Sequence, residues 1–346
     1  MDSTQSAAGH RPVSGNQKIL WLSIVQGWAI LLVVIGHVGC FTYRVPGELY
    51  WFSAAVTRFC YAFHMPLFMF VSGGLLYYSR LAKGWGTRAL YADKFKRLVL
   101  PYLFFTFFAL VLKGFLGSYT KRGGVEISLE SYLAALFDPA HGPIAEMWFV
   151  ATLLWFMAMY PLYRAALKNQ YLEMALLGAT LLPFVFGNPW SFGPWFNLGG
   201  VPGYMFYFVA GILFFKYSLY RYAEYRWWVP VALTASFAAA VLIGETPAVV
   251  TASAGIAMSV AWGVWLRERL PRLFASFRDY SFQIFLIGIF PQMFLELFVW
   301  RRMPSEWLQV PYYVVSCAAA VVVSVLVSKC VERVPSRLAR RFFGLK

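Results

Sequence analysis

Apolar runs of close to 20 residues, separated by charged or turn-forming clusters, recur along the whole chain. Ten such runs stand out, at about 19–41, 57–79, 97–116, 147–166, 171–187, 200–217, 227–243, 247–266, 281–299 and 310–329, and each predicts a membrane-crossing helix. Helix is the expected form because a lipid-facing backbone must satisfy its hydrogen bonds within its own segment. The two-residue alternation of a transmembrane barrel is absent. No internal repeat is evident, so an inverted-repeat architecture gains no support. The pattern predicts an all-α membrane protein, a polytopic bundle of about ten transmembrane helices. Residues 1–18 form a polar tail, 19–330 the ten-helix domain and 331–346 a basic tail.

Charge tests that layout. Ten crossings place both termini on one side, and 23 of the 30 Lys and Arg residues then fall on that side against 7 on the other. Basic residues collect in cytoplasmic loops, so both termini are expected in the cytoplasm. Composition agrees: 60% of the residues are hydrophobic, 20% aromatic and 13% charged, where a soluble domain carries about 25% charge. A soluble enzyme, a coiled coil, a disordered chain and a disulfide scaffold are excluded. The net charge of +15 would suggest nucleic acid in a soluble protein; here the loop bias explains it, and no nucleic-acid partner is expected. The first 18 residues lack an apolar core, so no cleavable signal is expected. Cys40, Cys60, Cys317 and Cys330 have no metal-ligand spacing, and no metal is expected. Cys40 and Cys60 read as apolar fillers rather than a disulfide.

Polar residues inside spans are costly and mark candidate sites. Gln26 and His37 are eleven residues apart, just over three full turns, so they share one face of the first helix roughly 16.5 Å apart along its axis. Interhelical hydrogen bonding is the competing account. His64 lies roughly 10 Å down the second span, a depth similar to that of His37, so both imidazoles could face one cavity. Pro66 disturbs that helix, and Ser72, Gly73 and Gly74 permit close packing of a neighbour. Lys94, Lys96 and Arg97 stand where the third span enters the membrane. They suit an anionic ligand or acidic lipid headgroups. Trp148 could wall a cavity or belong to an aromatic belt. The loop 117–146, with Glu126, Glu130, Asp138, His141 and Glu146, is large enough to cap an outward-facing cavity. Segment 187–200, with Trp190 and Trp195, reads as an interfacial turn or as a polysaccharide-contacting rim.

Four blocks, in order, resemble the integral-membrane acyltransferase-3 family, especially its sugar O-acetylase branch. QGWAILLVVIGH (26–37) is similar to that family's signature of a basic residue, ten residues and a histidine. FHMPLFMFVSGGLL (63–76), KFKRLVLPY (94–102) and MWFVATLLWF (147–156) resemble the blocks that follow, with Lys94 and Arg97 in place of a paired-arginine pattern. The resemblance implies transfer of an acyl group, usually acetyl, from acetyl-CoA or another acyl-CoA. The acceptor would be a hydroxyl of a cell-envelope glycan or lipid-linked saccharide, at a bacterial inner membrane. In that scheme Lys94, Lys96 and Arg97 neutralise coenzyme A phosphates, and His37 is general base or transient acyl carrier. Gln26 and His64 assist it, while Trp148, Asp138 and Glu146 hold the saccharide. The chain departs from the family at two positions. Gln26 replaces a basic residue and supplies hydrogen bonds but no charge, and Gly288 in YSFQIFLIGIF (280–290) stands where many members have histidine. The alternative functions are an export component for a glycan or lipid-linked precursor, and a non-catalytic membrane partner. The bilayer and a second copy of the chain are the remaining candidate partners.

Overall fold

A computed structural model describes residues 19–41, 51–117, 124–187, 194–223, 226–302 and 306–345. Among them there is no strand. The helices are α1 (Leu20–Phe41), α2 (Trp51–Tyr61), α3 (His64–Leu76), α4 (Thr87–Lys94), α5 (Leu100–Leu116), α6 (Leu129–Phe137), α7 (Met147–Ala158) and α8 (Tyr160–Ala166). They continue as α9 (Gln170–Phe186), α10 (Val201–Lys216), α11 (Trp228–Ile243), α12 (Ala248–Arg269), α13 (Ser281–Ile287), α14 (Ile289–Phe298), α15 (Gln309–Arg333) and α16 (Arg337–Phe342).

Every predicted span coincides with one of these helices or with a consecutive pair. Six are long and apolar enough to cross a bilayer, and up to eight if two bent pairs each count once. The other two, α9 and α11, have 17 and 16 residues, roughly 25 Å of helix against a hydrocarbon core of about 30 Å. The structure thus carries six to eight apolar helices of spanning character, with two shorter ones beside them.

Proline explains where the long rods break. Its ring collides with the carbonyl four residues back and removes one N–H from the ladder. Pro66 points back to Ala62, and the α2–α3 junction lies at Ala62–Phe63. Pro161 points back to Met157, where α7 gives way to α8 at a 48° bend. Pro291 points back to Ile287, where α13 meets α14 at 50° beside Gly288. Pro101 points back to Arg97, inside a π-helical turn at Phe95–Val99. Pro183 is the exception and leaves α9 unbroken.

The core gathers around α1, which packs on α2, α3, α12, α13, α14 and α15. Apart from Ser23, Gln26 and His37 this helix is apolar around its circumference, as suits a central helix; Val25, Ala29, Ile30 and Leu32 are fully buried. Helices α3 and α10 cross closely, since a Cβ on Gly73 would collide with the Phe208 carbonyl and one on Gly211 with that of Phe70. Small residues at such a crossing let backbones approach and gain packing where lipid offers no hydrophobic drive. Helix α9 is tied to α10 by a polar latch in which the buried Glu173 pairs with Lys216 and accepts from the Tyr217 hydroxyl at 2.6 Å.

Candidate active site

The α2–α3 break has a chemical consequence. It places His64 at the first position of α3, facing α1 across a cavity of about 340 Å³ near the His37 end of the bundle. His37, His64, Tyr61, Glu146, Trp148 and Tyr204 line it.

The two histidines are anchored identically. His37 Nδ1 lies 2.7 Å from the Val33 carbonyl oxygen, and His64 Nδ1 lies 2.7 Å from that of Cys60. A carbonyl only accepts, so each Nδ1 carries the proton, and in a neutral ring Nε2 keeps a lone pair. The rings stand 6.4 Å apart, edge to face, and Tyr61 packs 4.8 Å from His64. His37 Nε2 is 3.4 Å from Glu146 Oε1. That carboxylate immediately precedes α7, where the helix dipole favours negative charge.

The opposite wall is held by the first turn of α7 and the turn Trp195–Gly200. Asn197 donates to Thr152 Oγ1 at 2.7 Å, and Thr152 donates to the Trp148 carbonyl at 2.9 Å. Trp155 Nε1 donates to the Phe196 carbonyl at 3.0 Å. Phe196 and Asn197 adopt φ of 48° and 54°, a conformation that costs of order 1–3 kcal/mol per residue and persists only where its surroundings enforce it. Trp148 stacks on Tyr204 with centroids 5.1 Å apart. This packing answers the question the sequence left open for Trp148: it is a cavity wall. Residues 194–200 of segment 187–200 brace α7 behind that wall through these bonds and do not themselves line the cavity; Trp190 lies outside the described residues.

Not every candidate gathers here. Asp138 pairs with the exposed His141 at 2.9 Å and does not line the cavity. Gln26 is half-buried on α1 and does not line it either. Helix α6, in the loop expected to cap the cavity, packs on α5 instead, with the Tyr102 hydroxyl donating to the Leu136 carbonyl at 2.7 Å. Lys94, Lys96 and Arg97 sit at the other end, where Asp93 accepts from Arg80 Nη2 and Arg97 Nε, both at 3.0 Å. Arg80 also stacks over Trp85 at 3.9 Å, and the Tyr160 hydroxyl donates to the Trp85 carbonyl. Gly288 lies at the α13–α14 bend against Ala320, and one turn on, Gln292 donates to the Val34 carbonyl of α1 at 2.9 Å. That bond fixes the α1 backbone one residue beyond the His37 anchor.

Sequence reasoning missed Asp93, Gln292 and the Thr152–Asn197 pair. Asp93 left a signal, being the sole carboxylate between Glu48 and Glu126. Gln292 and Thr152 left the general signal of a polar residue inside a predicted span, and Asn197 lay in the 187–200 turn.

Comparison with known proteins bears on the same helices. The nodulation protein NolL of Mesorhizobium japonicum is a relative, 29% identical over 146 residues that cover 41% of this chain and 35% of that protein. No solved structure matches the chain. The family model for an acyltransferase domain matches residues 19–329, which hold both histidines, Glu146 and all the cavity walls; the chain belongs to the acyltransferase-3 family.

Proposed function

We propose that this membrane acyltransferase is an O-acyltransferase that moves an acyl group, acetyl first among the candidates, from acyl-CoA to a saccharide hydroxyl. The acceptor is a cell-envelope glycan or lipid-linked saccharide. The observation that carries the reading is the His37–Glu146 pair, with a histidine nitrogen and a carboxylate meeting at a cavity large enough for a sugar ring.

The chemistry follows from the atoms available. A hydroxyl placed against His37 Nε2 gives up its proton to the ring as its oxygen attacks the thioester carbonyl carbon. The imidazolium that forms carries N–H on both sides: Nδ1–H toward Val33 O and Nε2–H toward Glu146, whose negative charge stabilises it. As the tetrahedral intermediate collapses, the C–S bond breaks and the leaving thiolate takes the proton from the imidazolium. The products are an ester and free coenzyme A thiol. Tyrosine hydroxyls on the cavity wall are the donors available to the developing oxyanion. His64, held by its own backbone bond, offers Nε2 to a second sugar hydroxyl and orients the ring. Trp148 and Tyr204 supply an aromatic face for the sugar.

The charge asymmetry and the ten segments support a ten-span topology with both termini in the cytoplasm of a bacterium, at its inner membrane. The His37 cavity then opens toward the outer face, and the Arg80–Asp93–Arg97 cluster toward the cytosol.

Comparative mass spectrometry of envelope glycans from cells with and without the protein tests the reading. The expected result is a defined acyl mass lost from one glycan class in the absence of the protein and in cells carrying His37→Ala. An export component would move glycan whether or not His37 is present, so unaltered acylation together with arrested glycan movement would overturn the assignment.

A further inference from the structure

The His37 cavity is the first of three that follow one another along a single seam. Helices α10 and α12 both pack on α3 and leave a cleft between their facing sides. At the His37 end this cleft is the cavity just described, bounded there by Gly203, Tyr204 and Tyr207 of α10 and by Ala248 and Ala252 of α12. One turn further along the same two helices lies an apolar groove of about 380 Å³, walled by Ala210 and Phe214 of α10 and by Ile256, Ala257 and Val260 of α12. Tyr207 belongs to both walls and separates the two spaces. At the far end is a third space of about 620 Å³ bounded by Trp21, Tyr77, Tyr78, Phe215, Arg221 and Arg267. Tyr220 belongs to both the groove and this mouth.

We infer that this seam is the donor's route: the mouth binds the nucleotide and phosphates of an acyl thioester such as acyl-CoA, and the groove carries its acyl arm to Tyr207, beside the histidines. The inference rests on the acyl-CoA reading above and assigns it a site. Three features of the mouth match a nucleotide. Its walls are aromatic: buried Trp21 packs between Phe215 and Tyr220 at 5.3 Å from each, and the half-buried rings of Tyr77, Tyr78 and Tyr220 line the space where a purine would lie. Arg221 and Arg267 supply planar guanidinium forks suited to phosphate. The Arg267 partner, Glu268, is exposed, so solvent screens that pair. The Trp21 indole N–H is buried without an acceptor among the described residues, an unusual state for a buried donor. In the groove, Ser253 and the hydroxyls of Tyr207, Tyr220 and Tyr222 offer polar contacts to the amides of a pantetheine-like arm, while the remaining walls are apolar. From Lys216 back to Tyr207 the helix advances roughly 14 Å, a length that a long flexible thioester arm, and not a bare acetyl group, is suited to cover. The basic cluster at Lys94, Lys96 and Arg97 is the competing location. There Asp93 already occupies Arg97, and none of the three residues lines the seam.

The test uses the full chain in nanodiscs of uncharged phosphatidylcholine, with coenzyme A as the binding probe and a photoreactive acyl-CoA as the mapping probe. The paired substitution Arg221→Gln with Arg267→Gln is expected to raise the coenzyme A Kd at least tenfold. The wild-type label is expected on segments 206–220 and 253–267. A plug in the groove, Ala257→Trp, should abolish transfer and labelling at Tyr207 yet leave binding of 3′,5′-ADP unchanged, a readout that also shows the variant is folded. Unchanged coenzyme A affinity in the paired variant, or a label on α4 and α5, overturns the inference. So does a paired variant that loses only co-purifying anionic phospholipid, since the mouth would then be a headgroup site. The two proposals fail separately. A wild type that binds coenzyme A at the mouth but transfers no acyl group sinks the O-acyltransferase reading. A paired variant that transfers acyl groups with an unaltered donor KM sinks the seam.

Discussion

At the His37 end of the bundle, each imidazole uses Nδ1 on a carbonyl one turn back and lines a shared cavity, where Glu146 stands 3.4 Å from His37 Nε2. At the Arg80 end, Asp93 accepts from two arginines, and Trp85 covers one of them. Both clusters are polar and partly buried, yet the first turns its histidines to a cavity, whereas in the second the Asp93 carboxylate is taken up by two guanidinium groups. A half-satisfied polar group aimed at a cavity is disposed to bind and react; a satisfied network holds helices in place. The contrast separates two residue sets that the sequence presented alike.

His37→Ala is the strongest way to break this comparison. Acyl transfer by the purified protein is expected to fall on the order of 10²–10⁴-fold while circular dichroism and the melting temperature stay near wild type. Turnover within threefold of wild type would remove His37 from the chemistry. Next comes Glu146→Gln, which keeps the shape and loses the charge that stabilises the imidazolium. A loss of roughly 10²-fold in kcat with little change in acceptor KM is expected; a change confined to KM would make Glu146 a sugar-binding residue only.

Asp93→Asn sharpens the contrast from the other end. It leaves Arg80 and Arg97 sharing a neutral acceptor and should cost about 2 kcal/mol of stability, read as a lower denaturation midpoint in detergent, with turnover per folded molecule preserved. A tenfold fall in turnover at unchanged stability would show that this cluster belongs to the reaction. The smallest effect is expected from Gln26→Arg. Gln26 lies off the cavity, so turnover should stay within a few-fold of wild type; a gain above tenfold would mean that the charge missing from the family signature acts through space.

Much of the architecture was legible because a membrane imposes a one-dimensional rule. A backbone crossing lipid must be helical, about 20 residues long and apolar, and each of the ten runs read from hydropathy coincides with a helix or a bent pair. The break near Pro66 was read from the chain as well; those at Pro161 and Pro291 have the same local cause, the collision with the carbonyl four residues back, but fell inside segments read as continuous. His37 and His64 were legible as intramembrane polar residues at matching depth, and the structure does bring them together. Gln26, in the first span, and Asp138, in the 117–146 loop, were candidates as well, yet neither lines the cavity, because polarity says nothing about which face a side chain presents to which neighbour.

What the sequence determined by itself is therefore the ten apolar segments, the disturbance at Pro66, the sidedness expected from charge, and the family signature at 26–37. Only the tertiary structure decided that Glu146 reaches His37 from a helix more than a hundred residues away and that Asp93 closes the basic cluster. The alignment of three cavities along α10 and α12 belongs to the same class. The physical reason is that helix formation and proline breaks depend on neighbours within about four residues. A cavity is a property of surfaces left unmatched when separate helices pack.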